Sequence, residues 1–277
     1  MPRPTFVRLR LRRPCLIGVV HLGALPGAPR WIPPENGAAP LEPLLAAAIE
    51  DARALASNGC DALIVENFGD VPFHPTHVPA ETIAAMALAL RAVLDAAPAI
   101  PVGVNVLRND ARAALGLCAA TGAAFLRVNV HAGAAVTDQG IVEGRAYETL
   151  RERTRLAPAV AILADAHVKH ATQLSRETIG ECVEDLVHRA LCDGVIVSGA
   201  ATGRPPDAER VRAARAAAGD VPVLIGSGLD ERNARELLAH ATGAIVGTSL
   251  KFDGRVGNPV DPARVRQMRD LFDALPR

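Results

Sequence analysis

A chain of 277 residues is long for one ordinary domain and short for two, but it matches the roughly 250 residues over which an α/β barrel closes as a single unit. Hydrophobic residues make up 49 % of it and charged residues 22 %, which excludes wholesale disorder. Thirty basic residues balance thirty acidic ones, which argues against a binder of nucleic acid duplexes or anionic membranes, and eight aromatic rings (six Phe, one Trp, one Tyr) give single-stranded bases little to stack on.

The chain opens on a basic arm, residues 1–15, with five Arg. The apolar stretch from Cys15 to Val20 is shorter than the roughly 7–15 residues of a signal-peptide core, and His21 ends it. No apolar run approaches the roughly 18 residues of a spanning helix, so no transmembrane segment is expected. Cys15, Cys60, Cys118, Cys182 and Cys192 show no CxxC spacing. They fit reduced thiols in the cytoplasm better than a disulfide frame or a zinc ribbon.

Short apolar runs then alternate with Ala/Leu/Arg helical patterns. The runs Leu16–Val20, Ala62–Val65, Val102–Val106, Phe125–Val130, Val160–Ala164, Gly194–Val197, Val221–Ile225 and Ala244–Val246 read as strands. Pro40–Ser57, Ala80–Ala96, Asn109–Thr121, Glu143–Leu156, Thr178–Cys192, Asp207–Ala218, Asp230–His240 and Asp261–Leu275 read as helices. Asp110, Asp207 and Asp230 stand at N-cap positions, and Gly59, Gly122, Gly219 and Gly243 at helix ends. Eight strand–helix units predict a closed (β/α)8 barrel of the TIM type, with parallel strands, in one domain over residues 1–277. An open doubly wound sheet would carry a Gly-rich fingerprint in its first turn. HLGALPGAP is no such fingerprint, and no nucleotide cofactor is expected.

Barrel chemistry is done at the carboxyl ends of the strands. The residues just past each run are therefore the informative ones: His21; Glu66, Asn67 and Asp70; Asn105, Arg108 and Asp110; Arg127, Asn129 and His131; Asp165, His167, Lys169 and His170; Ser198; Gly226-Ser227-Gly228; Gly247-Thr248-Ser249. Six of the eight His lie in or just beyond these segments. Of 30 basic side chains only Lys169 and Lys251 are lysines, and a lysine, unlike arginine, can be tuned toward neutrality for acid/base or imine chemistry. The two glycine/hydroxyl turns after strands seven and eight suit a phosphate, held by backbone N–H groups, with Gly226, Ser227, Gly228, Gly247, Thr248 and Ser249 as its contacts. Asp165, His167 and Lys169 alternate as strand residues do and would share one side, with Asp165 and His167 moving protons, Glu66 as second acid/base and Lys169 stabilising an oxyanion or forming an imine. His21, Asn67, Asn105, Asn129, His131 and Ser198 would contact the substrate. Glu66, Asp165 and His167, with His21, are candidate ligands for a divalent metal, though no fixed local spacing supports one. His131–Gly144 and Ser198–Pro206 read as lids.

GVVHLGALPGAP, DALIVENFGDVPF, VLRNDA, FLRVNVHAGAAVTDQGIVEGRA, ILADAHVKHA, DGVIVSGAATG and the GSG/GTSLK pair together resemble the BtpA family, from about Leu16 to Arg264. Two small departures, Ala166 where Val is common and Ala28 where Ser is common, remove no polar group. The family name comes from photosystem I biogenesis, while related proteins occur in organisms without photosynthesis. The resemblance implies a phosphate-binding TIM barrel and leaves the reaction open. The expectation is an enzyme of isomerase or lyase type acting on a small phosphorylated metabolite, a sugar or ribosyl phosphate. The alternatives are a non-catalytic assembly factor, peripheral to a membrane by family analogy, and a metal-dependent hydrolase. Self-association into a homo-oligomer through outer helices stays open.

Overall fold

The structure is a computed structural model that describes residues 11, 14–33, 41–199 and 205–275. Most of the basic arm and residues 200–204 of the second lid segment lie outside them.

Eight parallel strands close into a barrel: β1 (Cys15–His21), β2 (Ala62–Glu66), β3 (Val102–Asn105), β4 (Phe125–Val128), β7 (Ala161–Ala166), β9 (Gly194–Val197), β10 (Val223–Ile225) and β11 (Gly243–Val246). The order around the ring is β1-β11-β10-β9-β7-β4-β3-β2. Outside it lie α1 (Glu42–Ser57), α2 (Ala80–Ala96), α3 (Ala111–Thr121), α4 (Ala146–Leu156), α5 (Ile179–Glu184), α6 (Ala208–Ala217), α7 (Ala234–Leu238) and α8 (Pro262–Asp273). The expected (β/α)8 barrel is thus the observed one. No helix of the described residues is long and apolar enough to cross a membrane.

Two apolar cores follow from the period-two alternation of strand side chains. Ile17, Val19, Ile64, Phe125, Leu163, Ile196, Leu224 and Ile245 fill the barrel. Leu16, Val20, Leu63, Val65, Val104, Leu126, Ile162 and Val197, one residue out of phase, pack beneath the helices. Gly103 faces inward, where any Cβ would strike the Phe125 ring.

Capping sets several helix boundaries. Asp110, Asp207 and Asp261 accept N–H bonds in the first turns of α3, α6 and α8. Gly122 closes α3 in the left-handed conformation at φ +86. Gly243, expected to end a helix, instead opens β11.

The largest departure from the sequence reading is a second, antiparallel sheet. β5 (Ala134–Thr137) and β6 (Gly140–Glu143) form a hairpin, and β8 (Ala171–Gln173) adds to β5. Residues 131–144, read as a lid loop, therefore hold an ordered hairpin, and α4 starts three residues later than expected. The helix expected at 178–192 passes after Glu184 into a π-helical turn over Asp185–Arg189.

Candidate active site

The inward strand positions that carry hydrocarbon at the barrel centre carry polar groups at its carboxyl end. Continuing each inward series by two residues reaches His21 from Val19, Glu66 from Ile64, Asn105 from Gly103, Arg127 and then Asn129 from Phe125, Asp165 from Leu163, Ser198 from Ile196, Gly226 from Leu224 and Gly247 from Ile245. Strand register puts His21, Glu66 and Asn105 at one level.

Arg127 ties this layer together. Its Nε and Nη2 each donate to Asp165 at 3.1 Å, and its Nη1 donates to Glu66 Oε1 at 3.3 Å. Asn129 donates to Asp165 Oδ2 at 2.7 Å, and Asn105 to Glu66 Oε1 at 3.2 Å. All five residues are buried. Burial opposes the Arg127 charge, but Asp165 and Glu66 outweigh it, and its proton is held more tightly than usual. Burial likewise opposes the Glu66 carboxylate, yet Arg127, His21 and Lys169 outweigh it, and the group sits below the usual carboxylate range.

Two cavities open above Arg127 and share Glu66, Phe68, Arg127 and Lys169 in their walls. The first, about 380 Å³, runs to the two glycine-containing turns and is bordered by Arg232 and Arg264. The second, about 440 Å³, reaches over Asn105 and Asn129 to Arg108, Asp138 and His170. Lys169 stands where the two meet. Burial, with Arg127 and Arg108 adding to it, lowers its pKa against the pull of Glu66 and Asp165. His21 packs its ring against Phe68, centroids 4.7 Å apart. Burial, opposed by Glu66 and reinforced by Lys251 and Lys169, brings its pKa down to about 4, so the ring is neutral at neutral pH.

The turn after β10 and the turn after β11 form one concave wall. Among the described residues, no backbone acceptor takes the N–H of Ser227, Gly228, Thr248 or Ser249, and Ser227 Oγ is buried without a partner. Gly226 and Gly247 are glycine because the space is already filled: a Cβ on the first would strike Ile196 and Ser198, and one on the second would lie 2.7 Å from His21 Cε1. Gly228 turns the chain at φ +73. Backbone N–H groups without a backbone acceptor, in a hollow bordered by Arg232 and Arg264, are the kind of donors that suit an oxyanion.

Not every expected site residue reaches this mouth. Strand β7 ends at Ala166, and His167 takes a φ of +55, so the alternation linking Asp165, His167 and Lys169 breaks. His167 turns toward Glu177 and lines a separate cavity of about 430 Å³ together with Ser198. The proposed meeting of Glu66, Asp165 and His167 around a metal does not occur; the Arg127 guanidinium joins the two carboxylates instead. Asp165 lies under Arg127 and Asn129 and lines neither cavity of the mouth, so its expected role in moving protons gives way to positioning Arg127. Asn67 holds the loops, accepting from Leu107 N at 2.7 Å and donating to Asp70 Oδ2 at 3.0 Å. The His131 ring meets Ala190 O at 3.0 Å, outside the mouth. Ser249 lines the wall, but its hydroxyl donates to Leu229 O at 2.6 Å and braces the two turns. Lys251 is buried against Asp51 at 2.8 Å. Arg127 and Arg108 were visible as rim residues without a role. Arg264 enters from the first turn of α8, and no local signal marks it.

The BtpA family model matches residues 12–274. Among curated proteins, "Photosystem I biogenesis protein BtpA" of Synechocystis sp. is 46 % identical over 90 % of this chain and 85 % of its own length. An uncharacterized protein of Thermococcus kodakarensis is 45 % identical, covering 95 % of this chain and 97 % of its own. Among solved structures, N-(5'-phosphoribosyl)anthranilate isomerase from Pyrococcus furiosus aligns with a TM-score of 0.57 at 13 % identity, over 94 % of this chain and 99 % of that one. The native KDPGal structure aligns at 0.55 and 14 %, over 93 % and 92 %. At such identities the likeness establishes the fold alone.

Proposed function

This chain belongs to the BtpA family, and on that footing we propose that it is an enzyme of isomerase or lyase type acting on a small phosphorylated sugar. One observation carries the reading: Lys169, its pKa lowered, and the ionised Glu66 line the same cavity as the unpaired N–H groups of Ser227, Gly228, Thr248 and Ser249. The phosphate sits in that hollow, beside Arg264 and the Arg232–Asp230 pair. The carbon chain runs into the second cavity, where Asn105 and Asn129 face its hydroxyls.

The hydrogen bonds to Glu66 from Arg127 and Asn105 both fall on Oε1. The other oxygen, Oε2, takes a proton from a carbon beside the substrate carbonyl. The Lys169 ammonium, made a better acid by burial, gives a proton to the carbonyl oxygen, and an enediol results. Glu66 then returns its proton to the former carbonyl carbon while the hydroxyl on the other carbon gives its proton to Lys169, which completes an isomerisation and restores both groups. Arg127 keeps Glu66 ionised before the substrate reacts and holds it in place throughout.

Solvent exchange reads this chemistry before any product is known. Incubated in D2O with a panel of phosphorylated ketoses and aldoses, the protein is expected to place deuterium beside the carbonyl of its substrate. Lys169→Met is expected to slow that exchange by about 10²–10⁴-fold, the usual worth of a positioned acid or base. If no sugar phosphate in the panel exchanges, the enzymatic reading loses its support. The second reading, a partner-binding assembly factor, would then stand. It is favoured by the name of the cyanobacterial relative and by the exposed Val136 and Ile141 of the small sheet and Leu174 just beyond it.

A further inference from the structure

The side of His167 turned away from the mouth carries a second constellation. His167, Glu177 and Cys182 bring their ligand atoms within 4.8 Å of one another, the one such group of three among the described residues. Local folding dictates the meeting. Thr178 caps α5: its Oγ1 accepts from Glu181 N at 3.3 Å while Glu181 Oε2 accepts from Thr178 N at 2.7 Å. Such a capping box brings the residue before the cap against the fourth residue of the helix, positions that ordinarily hold a hydrophobic pair. Here those positions are Glu177 and Cys182. The third member arrives through the left-handed turn at His167, a conformation uncommon for a residue with a Cβ. Its Nε2 is buried, lies 3.6 Å from Glu177 Oε1 and has no hydrogen-bond partner. The imidazole nitrogen, turned at some conformational cost to pair loosely with Glu177 at 3.6 Å, keeps its hydrogen-bonding position unfilled beside a thiol.

We propose that His167 Nε2, a Glu177 carboxylate oxygen and Cys182 Sγ form a binding site for a zinc-class divalent cation, with its fourth position open to the cavity lined by Ser198 and Arg210. Imidazole, carboxylate and thiolate are the donors that borderline-soft Zn²⁺ takes, and three protein ligands with one open position is the arrangement of its reactive sites. Bonds of about 2.0–2.3 Å need the ligand atoms to draw together by roughly 1 Å, which the partly exposed Glu177 side chain can supply. The cavity is about 430 Å³, room for an exogenous ligand, and Arg210 in its wall favours an anionic one. The site is independent of the mouth: neither Lys169 nor the β10 and β11 turns line it.

Titration of chelator-treated protein with Co²⁺ tests this directly. One Co²⁺ per chain is expected, with a thiolate-to-cobalt charge-transfer band that Zn²⁺ displaces. Cys182→Ser should abolish the band. Glu177→Gln, a change at a partly exposed position that leaves the fold intact, should weaken binding by more than the roughly tenfold that even an outer-shell change costs. A wild-type titration without a saturable thiolate band overturns the proposal. So does a band that persists in Cys182→Ser, or an affinity that Glu177→Gln leaves unchanged.

Discussion

Arg127→Met lowers the free energy of unfolding by about 3–5 kcal/mol at neutral pH, the range seen when one partner of a buried ion pair is removed. The guanidinium is 3 % exposed and its partners Glu66 and Asp165 are 7 % and 0 % exposed, so solvent cannot take its place. Without it, two buried carboxylates are left with the Asn105 and Asn129 amides and the charge of Lys169 to stabilise them. Protonation relieves the repulsion, so the loss is smaller at pH 5 than at pH 7. Adding Glu66→Gln and Asp165→Asn should recover a good part of the stability, because neutral amides need no counter-charge. Urea unfolding of the single and triple variants measures both effects. A single-variant loss below about 1 kcal/mol would mean that the arginine is not the keystone of this layer.

The second large effect is acid sensitivity. Burial, opposed by the Ala190 carbonyl and reinforced by Arg153, brings the His131 pKa down to about 4, where His21 also lies. An unfolded histidine titrates near 6.5. Between these values the unfolded chain binds protons that the folded chain refuses, so stability is complete above about pH 6.5 and is lost as pH falls toward 4. From pH 7 to pH 5 the loss is about 2 kcal/mol per histidine, at roughly 1.4 kcal/mol for each unit of pKa difference. The lowered pKa values of His167 and His170 act in the same sense, more weakly because both rings are partly exposed. Asp70, its pKa raised by burial, acts in the opposite sense. His131→Gln should remove about half of the main effect. Equal stability at pH 5 and pH 7 would show that neither ring is kept neutral by the fold.

The barrel was legible because buried parallel strands are continuous apolar runs, and all eight stand out against Ala-rich helices. The mouth was legible in part for the same reason: period-two extension of Val19, Ile64, Phe125 and Leu163 lands on His21, Glu66, Arg127 and Asp165. Arg127 passed without a role because arginine is common throughout this chain, and only its inward parity sets it apart. His167 was misplaced because extending the alternation assumes that the strand continues, whereas β7 ends one residue earlier and the backbone turns left-handed there. His131 and Asn67 carry the right chemistry in the right segments, but both lie past their strand ends, where parity no longer fixes direction. The β5–β6 hairpin escaped notice because its four-residue strands mix Ala, Gly and Glu and make a weak pattern. Glu177 and Cys182 were invisible as a pair, since a capping box and not a sequence repeat brings them together.

An oxyanion receptor and an acid/base pair sharing one cavity are the core of the proposed chemistry, and calorimetric titration of ribose 5-phosphate against ribose tests that core most directly. The phosphorylated sugar is expected to bind once per chain, while ribose binds far more weakly. Ser227→Asp, which places a negative charge in the hollow, should abolish binding without unfolding the protein. Equal binding of both sugars, or ribose 5-phosphate binding that survives Ser227→Asp, would contradict the assignment of the β10 and β11 turns as the phosphate site.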